Sequence, residues 1–301
     1  MAPLDRAFAW PMRRRYVESM IAPVMRSVQW RRFGIVLAII AAALTPSASA
    51  APPAPPANAG FDYQIGGAYP LPPGITVVTR DWFADSPAPL PVYSICYVNA
   101  FQTQADEADV NRPDERGNWP RGLVLKRLGD DPKWGGEYLV DITSAAKRAQ
   151  AARWVAPMLV ACRQKGYQAV EFDNLDSWQR FDDTPLAKRV PFGKRQALAY
   201  ARTLTARAHA LGLAVGQKNT PELTHAQVRR VGFDFAVAEE CARYKECDRY
   251  RRLFGNRVID IEYRAADFRR ACAAVGPKIS VVFRDLGVSM PGARRYRFRA
   301  C

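Results

Sequence analysis

Between residues 151 and 283 the chain alternates two periodicities, and this alternation restricts its fold more than any single residue does. Short apolar runs of strand length, at 168–172, 213–217, 233–238, 258–261 and 279–283, are separated by stretches in which apolar residues recur at helical spacing. Ala151, Val155, Met158, Leu159 and Cys162 form one such stripe, and Ala197, Tyr200, Ala201, Leu204, Ala208 and Leu211 another; each run ends at a glycine before the next strand. Thr220-Pro221 predicts the start of a third helix, a capping residue followed by proline at the first helical position, and 264–275 predicts a fourth. A helix between successive strands implies that the strands are parallel. Further strands at 62–65, 76–80 and 92–97 bring the number to eight, which predicts an α/β fold, a (β/α)8 TIM barrel forming a single domain. The first two strands have no obvious helices after them, and a strand-like piece at 137–142 reads as an insertion.

In a parallel barrel the C-terminal strand ends meet on one face, the face that carries active sites. Here those ends supply Asp81, Tyr97 with Asn99, Asp173, Lys218 with Asn219, Glu239 with Glu240, Glu262 with Tyr263, and Arg284 with Asp285. Ala169-Val170-Glu171-Phe172-Asp173-Asn174-Leu175-Asp176 packs three carboxylates into six positions. Alternation along a strand points Glu171 and Asp173 the same way and leaves Asp176 in the loop beyond, whereas Glu239 and Glu240, being adjacent, cannot both face the mouth. A solvated loop of ordinary acids is the alternative reading of the triplet alone. An acidic mouth without histidine, in which Lys218 is the exception, suits glycoside hydrolysis by two carboxylates. His209 and His225 fall within helices, which disfavours a Ser-His-Asp triad, and no glycine-rich phosphate loop follows a strand. Neither histidine has ligand-like spacing to a cysteine, so neither metal nor cofactor is expected.

The N-terminus bears on compartment. Arg31 and Arg32 precede an apolar run at 33–44, and Ala48-Ser49-Ala50 offers small residues for cleavage near Ala50, so residues 1–50 read as a signal peptide with an N-terminal extension. The apolar run is shorter than the roughly 20 residues of a spanning helix, so no stable membrane span is expected after cleavage. Residues 51–60, rich in Ala and Pro, read as an extended tether, and 61–301 as the catalytic domain. Six cysteines in a chain expected to be secreted or periplasmic fit disulfides; Cys241 and Cys247 are close enough to staple the loop between them, and Cys301 suits a C-terminal anchor. After residue 50 the chain holds 37 Lys and Arg against 27 Asp and Glu, but they are dispersed and match no nucleic-acid-binding signature, so nucleic acid is not an expected partner.

Several stretches together resemble glycoside hydrolase family 114: Glu171-Phe172-Asp173-Asn174-Leu175-Asp176, Val215-Gly216-Gln217-Lys218-Asn219, 234–241 with Tyr244 and Glu246-Cys247, and Ile261-Glu262-Tyr263. Cys96-Tyr97, Arg112-Pro113-Asp114, Trp134 with Gly136-Glu137, Asp141-Ile142 and 296–301 extend the resemblance from about Tyr63 onward. Characterised members are endo-α-1,4-polygalactosaminidases. The resemblance implies a (β/α)8 barrel, an amino-sugar polysaccharide substrate and a retaining mechanism, with Asp173 as nucleophile and Glu239 as acid/base. It further suggests that Asp81, Tyr97, Asp176, Lys218, Asn219 and Glu262 bind substrate or orient the pair, with Glu171 a deeper supporting acid. One departure is Val98-Asn99-Ala100-Phe101-Gln102 where the family has a small turn; the expectation that Phe101 adds bulk at the mouth leaves a non-catalytic carbohydrate-binding barrel as the alternative. A net charge of +10 after residue 50 would repel an ammonium-bearing polymer at long range. Screening over about 8 Å leaves the local acidic mouth to decide, unless the polymer is substantially acetylated or is another polysaccharide.

Overall fold

The computed structural model describes residues 52–84, 87, 90–104 and 119–301. The signal-like segment, residue 51 and Arg112-Pro113-Asp114 lie outside them. The core of the fold is a sheet in which strands follow chain order: β1 (Phe61–Gln64), β2 (Val77–Asp81), β3 (Tyr93–Asn99), β4 (Ala169–Asp173), β5 (Ala214–Lys218), β6 (Phe235–Glu239), β7 (Val258–Glu262), β8 (Ser280–Arg284) and β9 (Phe298–Ala300). The first eight are parallel, and each of the eight expected strands is present within two residues of its expected limits. Strand β9 pairs antiparallel with β8.

Helices cover the sheet from β3 onward: α1 (Ala145–Lys165), α2 (Lys194–Ala210), α3 (His225–Val231), α4 (Cys247–Phe254) and α5 (Ala265–Ala274). Among the described residues none connects β1 to β2 or β2 to β3, as the sequence pattern implied. Helix α1 starts at Ser144, whose hydroxyl accepts from the Lys147 amide, and stops at Gly166 in the left-handed region with φ 94°. Helix α3 starts four residues later than expected. Thr220 lies in a left-handed turn with φ 61°, and Thr224 caps instead, its hydroxyl accepting from the Gln227 amide while the Gln227 side chain accepts from the Thr224 amide. The piece at 137–142 forms only isolated bridges, Leu139 to Gln102 and Val140 to Val124.

Alternation divides the side chains into layers. Phe61, Tyr63, Ile95, Ala214, Phe235 and Val237 fill the barrel interior, while Cys96, Val98, Val170 and Val215 pack outward against α1 and α2. The segment 52–60 has no regular secondary structure but is not a free tether. Ala54 and Ala59 pack on the interior cluster, and the Tyr93 hydroxyl donates to the Pro53 carbonyl at 2.6 Å, so the segment seats at the N-terminal end of the strands.

Strands β1 and β8 are neighbours, but they share no ladder among the described residues. Side chains bridge that seam. The fully buried Arg284 guanidinium donates to Asp62 Oδ1 at 3.0 Å and to the carbonyls of Ser289 and Arg297, and lies 5.9 and 5.7 Å from the rings of Tyr69 and Tyr296. Arg284 therefore closes the barrel and does not belong to its mouth. Three disulfides, Cys96–Cys162, Cys241–Cys247 and Cys272–Cys301, tie β3 to α1, the loop after β6 to the first residue of α4, and α5 to the residue after β9. No helix among the described residues is long and apolar enough to cross a membrane.

Candidate active site

The interior-facing parity that places Phe235 and Val237 inside the barrel brings Glu239 to the top of β6, and the same parity carries Ala169, Glu171 and Asp173 up β4 and Ala214, Gly216 and Lys218 up β5. Each of these strands ends in the same kind of step. Asn174, Asn219 and Glu240, the first residues beyond β4, β5 and β6, have φ of 61°, 47° and 58°. This left-handed conformation costs an L-residue energy and turns the chain away at once, leaving the preceding side chain at the mouth.

Lys218 lies at the centre, with only 1% of its side chain exposed. Its ammonium is 2.7 Å from Glu171 Oε1, 3.1 Å from Asp173 Oδ1 and 3.7 Å from Glu239 Oε2. Burial alone would lower its pKa, but the three carboxylates outweigh it and hold the ammonium charged. Asp173 also accepts from the Asn174 amide at 2.7 Å and from the Tyr97 hydroxyl at 2.5 Å. Burial opposes its ionisation, yet Lys218 and these donors keep its pKa below the usual aspartate value. Glu171, fully buried below, is shifted upward by burial despite Lys218 and the Tyr63 hydroxyl. Glu239 is held by the Tyr263 hydroxyl at 2.5 Å and the Asn219 amide group at 3.1 Å, and Asn219 Oδ1 in turn accepts from the Glu239 backbone at 2.9 Å. Burial and nearby carboxylates push the phenols of Tyr97 and Tyr263 well upward, so both remain donors.

The cleft above this network is lined by Asp81, Tyr97, Asp173, Asp176, Asn219 and Glu239 from the expected set. Asp81 accepts from Gln104 at 2.7 Å, and Asp176, at the rim with 29% of its side chain exposed, lies 3.5 Å from Arg180. Lys218 supports the cleft from beneath. Glu262 does not reach it. Ile259, Ile261 and Tyr263 face inward on β7, so Asp260 and Glu262 face outward, where they accept the backbone N–H groups of Cys241 and Ala242 at 3.1 and 2.8 Å. Burial raises the pKa of both acids. Glu262 thus braces the loop after Glu239, and its neighbour Tyr263 lines the cleft instead. Glu240 turns outward as well and pairs with Arg243 at 2.7 Å.

Gln104 and residues 286–288 extend the lining beyond the strand ends, and Trp134, Glu137 and Arg180 reach it from irregular segments. Asp131 holds the segment that carries Trp134 and Glu137: its carboxylate accepts from the amides of Lys133 and Trp134 at 2.7 and 3.1 Å, its own amide donates to the Glu137 carbonyl at 2.7 Å, and it pairs with Arg180 at 3.1 Å. Glu137 accepts from Asn99 at 3.2 Å; burial, with the charge of Asp173, pushes its pKa up to about 8. Trp134-x-Gly136-Glu137 was visible as a motif, but nothing in an irregular insertion indicates where it folds. Phe101 is not at the mouth: it is fully buried, 5.0 Å from the ring of Tyr200. Among the described residues, Cys241, Cys247 and Asp260 form a cluster compact enough for an ion, but its two sulfurs are bonded to each other.

The Asp173 and Glu239 oxygens nearest Lys218 both contact one nitrogen, which bounds their separation at about 7 Å, a limit that admits the roughly 5–5.5 Å of a retaining pair. The barrel is similar to two solved structures. Ega3 of Aspergillus fumigatus, in complex with galactosamine, aligns at 20% identity with a TM-score of 0.64 over 83% of this chain and 97% of that one. The glycoside hydrolase domain of PelA from Pseudomonas aeruginosa aligns at 13% identity with a TM-score of 0.52 over 78% and 97%. At these identities the likeness establishes the TIM-barrel fold. No curated protein sequence gives a significant match. The profile of glycoside-hydrolase family GH114 matches residues 42–299, which takes in every element from β1 to the start of β9, and the chain accordingly belongs to that family and is a glycoside hydrolase.

Proposed function

We propose that this protein is an exported, endo-acting hydrolase of α-1,4-linked galactosamine and N-acetylgalactosamine polysaccharide that works by double displacement. The observation that carries this reading is the pair Asp173 and Glu239 set around one buried ammonium, with Asp173 held ionised. Asp173 attacks the anomeric carbon while Glu239 passes its proton to the departing glycosidic oxygen, breaking the carbon–oxygen bond and leaving a glycosyl ester on Asp173. Glu239, now a carboxylate, takes a proton from water, whose oxygen attacks the anomeric carbon and frees Asp173. Tyr97 and Lys218 orient the nucleophile, and Tyr263 and Asn219 orient the acid. Acidic side chains in the cleft suit an amino sugar, and the structurally similar Ega3 was solved with galactosamine. Three disulfides are compatible with export. The burial of Phe101 removes the feature that favoured a binding-only barrel.

Partly deacetylated galactosaminogalactan incubated with the purified protein is expected to yield new reducing ends of retained α configuration, read by NMR. Asp173→Asn is expected to lose cleavage while keeping the folded circular-dichroism spectrum. Glu239→Gln is expected to slow it by about 10²- to 10⁴-fold. Undiminished hydrolysis by Asp173→Asn would sink the assignment.

A further inference from the structure

The cleft continues beyond Glu239 into a second chamber. Asp176, Arg180, Asn219 and Glu239 line both spaces, but Asp173 lines only the first and Tyr244 only the second. The first chamber is the smaller, about 240 Å³ against about 620 Å³. Double displacement places the nucleophile on the side of the sugar being transferred and the acid beside the group that leaves. A glycan spanning both chambers therefore has its direction set by the carboxylates: the transferred sugar lies with Asp173, and the departing chain runs past Glu239 into the second chamber.

We infer that this second chamber is the leaving-group half of the substrate cleft and selects polymers with free amino groups on that side. The inference rests on the retaining two-carboxylate reading above and adds to it a polarity and a specificity element. Two features of the chamber support it. Seven carboxylate residues line it against three cationic ones; Glu222 and Glu240 are paired with Lys194 and Arg243, and Arg180 with Asp131 and Asp176, so the lining remains acidic. Asp182 and Asp183 are exposed there, available to ammonium groups of a bound chain. Tyr244, on the loop stapled by Cys241–Cys247, is 57% exposed and has Arg243 5.1 Å from its ring. An exposed ring on a braced loop is a platform for a sugar face or an ammonium group. The chamber also answers the electrostatic difficulty of a basic protein acting on a cationic polymer, because these acids act within the screening length.

The test compares two substrates. One is partly deacetylated galactosaminogalactan; the other is a 4-nitrophenyl glycoside of a short α-1,4-galactosamine oligomer, whose leaving group is too small to occupy the second chamber. Tyr244→Ala and the double variant Asp182→Asn/Asp183→Asn are expected to lower kcat/KM on the polymer about tenfold, the scale of one lost aromatic or charge-assisted contact. Both are expected to hydrolyse the nitrophenyl glycoside at the unaltered rate, which also verifies folding. Tyr244→Trp is expected to restore polymer cleavage, and the double aspartate variant to lose discrimination between deacetylated and fully acetylated polymer. Equal losses on both substrates, or no loss on the polymer, overturn the inference. If the unaltered protein cleaves neither substrate, the hydrolase reading fails and this inference falls with it, a result distinct from hydrolysis indifferent to the second chamber.

Discussion

An ammonium group as deeply buried as that of Lys218 persists only where carboxylates repay its lost hydration, and here Glu171, Asp173 and Glu239 do so together. Lys218→Met removes the cation and leaves Glu171 and Asp173 facing each other in a poorly solvated site. The expected cost is about 3–5 kcal/mol of stability, read by denaturant unfolding. In whatever fraction folds, Asp173 loses its main stabilising charge, its pKa rises, and the acid limb of the pH–rate profile moves to higher pH. Glu137 behaves in the opposite sense. Its folded pKa of about 8 lies above its unfolded value, so the folded state keeps a proton that the unfolded state releases. Stability from this group is fully present below the ordinary glutamate range and is lost as pH rises through about 8. Glu137→Gln should flatten that decline, seen as a smaller drop in Tm between acidic and mildly alkaline buffer; an unchanged slope would contradict a protonated Glu137.

At the scale of elements, the strands do most of the positioning. Gly216 faces the interior between Glu171 below the mouth and the ring of Phe235, and a Cβ there would lie 2.9 Å from two Phe235 ring atoms. Gly216→Ala is therefore expected to destabilise the protein by about 1–3 kcal/mol, measurable by thermal unfolding, because Phe235 has no exposed side toward which to move. The parallel strands were legible because burial on both faces writes continuous apolar runs, and the residues ending β2 to β6 were legible because those runs stop at the mouth. Parity along β7 was also present in Ile259, Ile261 and Tyr263, and would have chosen Tyr263 over Glu262 had it been applied as strictly as at Glu239 and Glu240. Helix α4 left no apolar stripe to read because half of its residues, Cys247-Asp248-Arg249-Tyr250-Arg251-Arg252-Leu253-Phe254, are charged and it buries little beyond Cys247 and Tyr250. Trp134, Glu137 and Arg180 reach the cleft through irregular segments, where no periodicity reports direction.

For the molecule as a whole, the disulfides divide into a global and a local class. Cys96–Cys162 closes a segment of 66 residues and Cys241–Cys247 one of six. On loop-closure entropy the first is worth about 4 kcal/mol and the second about 2 kcal/mol. Replacing the first pair by serine should lower the denaturation midpoint more than replacing the second. The second replacement should instead show in kcat, since that loop follows Glu239 directly. The reverse ranking in paired unfolding and rate measurements would contradict this division. The seam between β1 and β8 has a further consequence for how the molecule is made. Asp62 and Arg284 are 222 residues apart in the chain. A nascent polypeptide can begin pairing neighbouring strands as each emerges, but its first strand can offer Asp62 only the Gln64 amide group, at 2.8 Å, and no counter-charge until nearly the whole domain has been synthesised. Until then the sheet is an open ribbon whose edge carries a carboxylate without its counter-charge, and the ring can shut only once β8 has arrived.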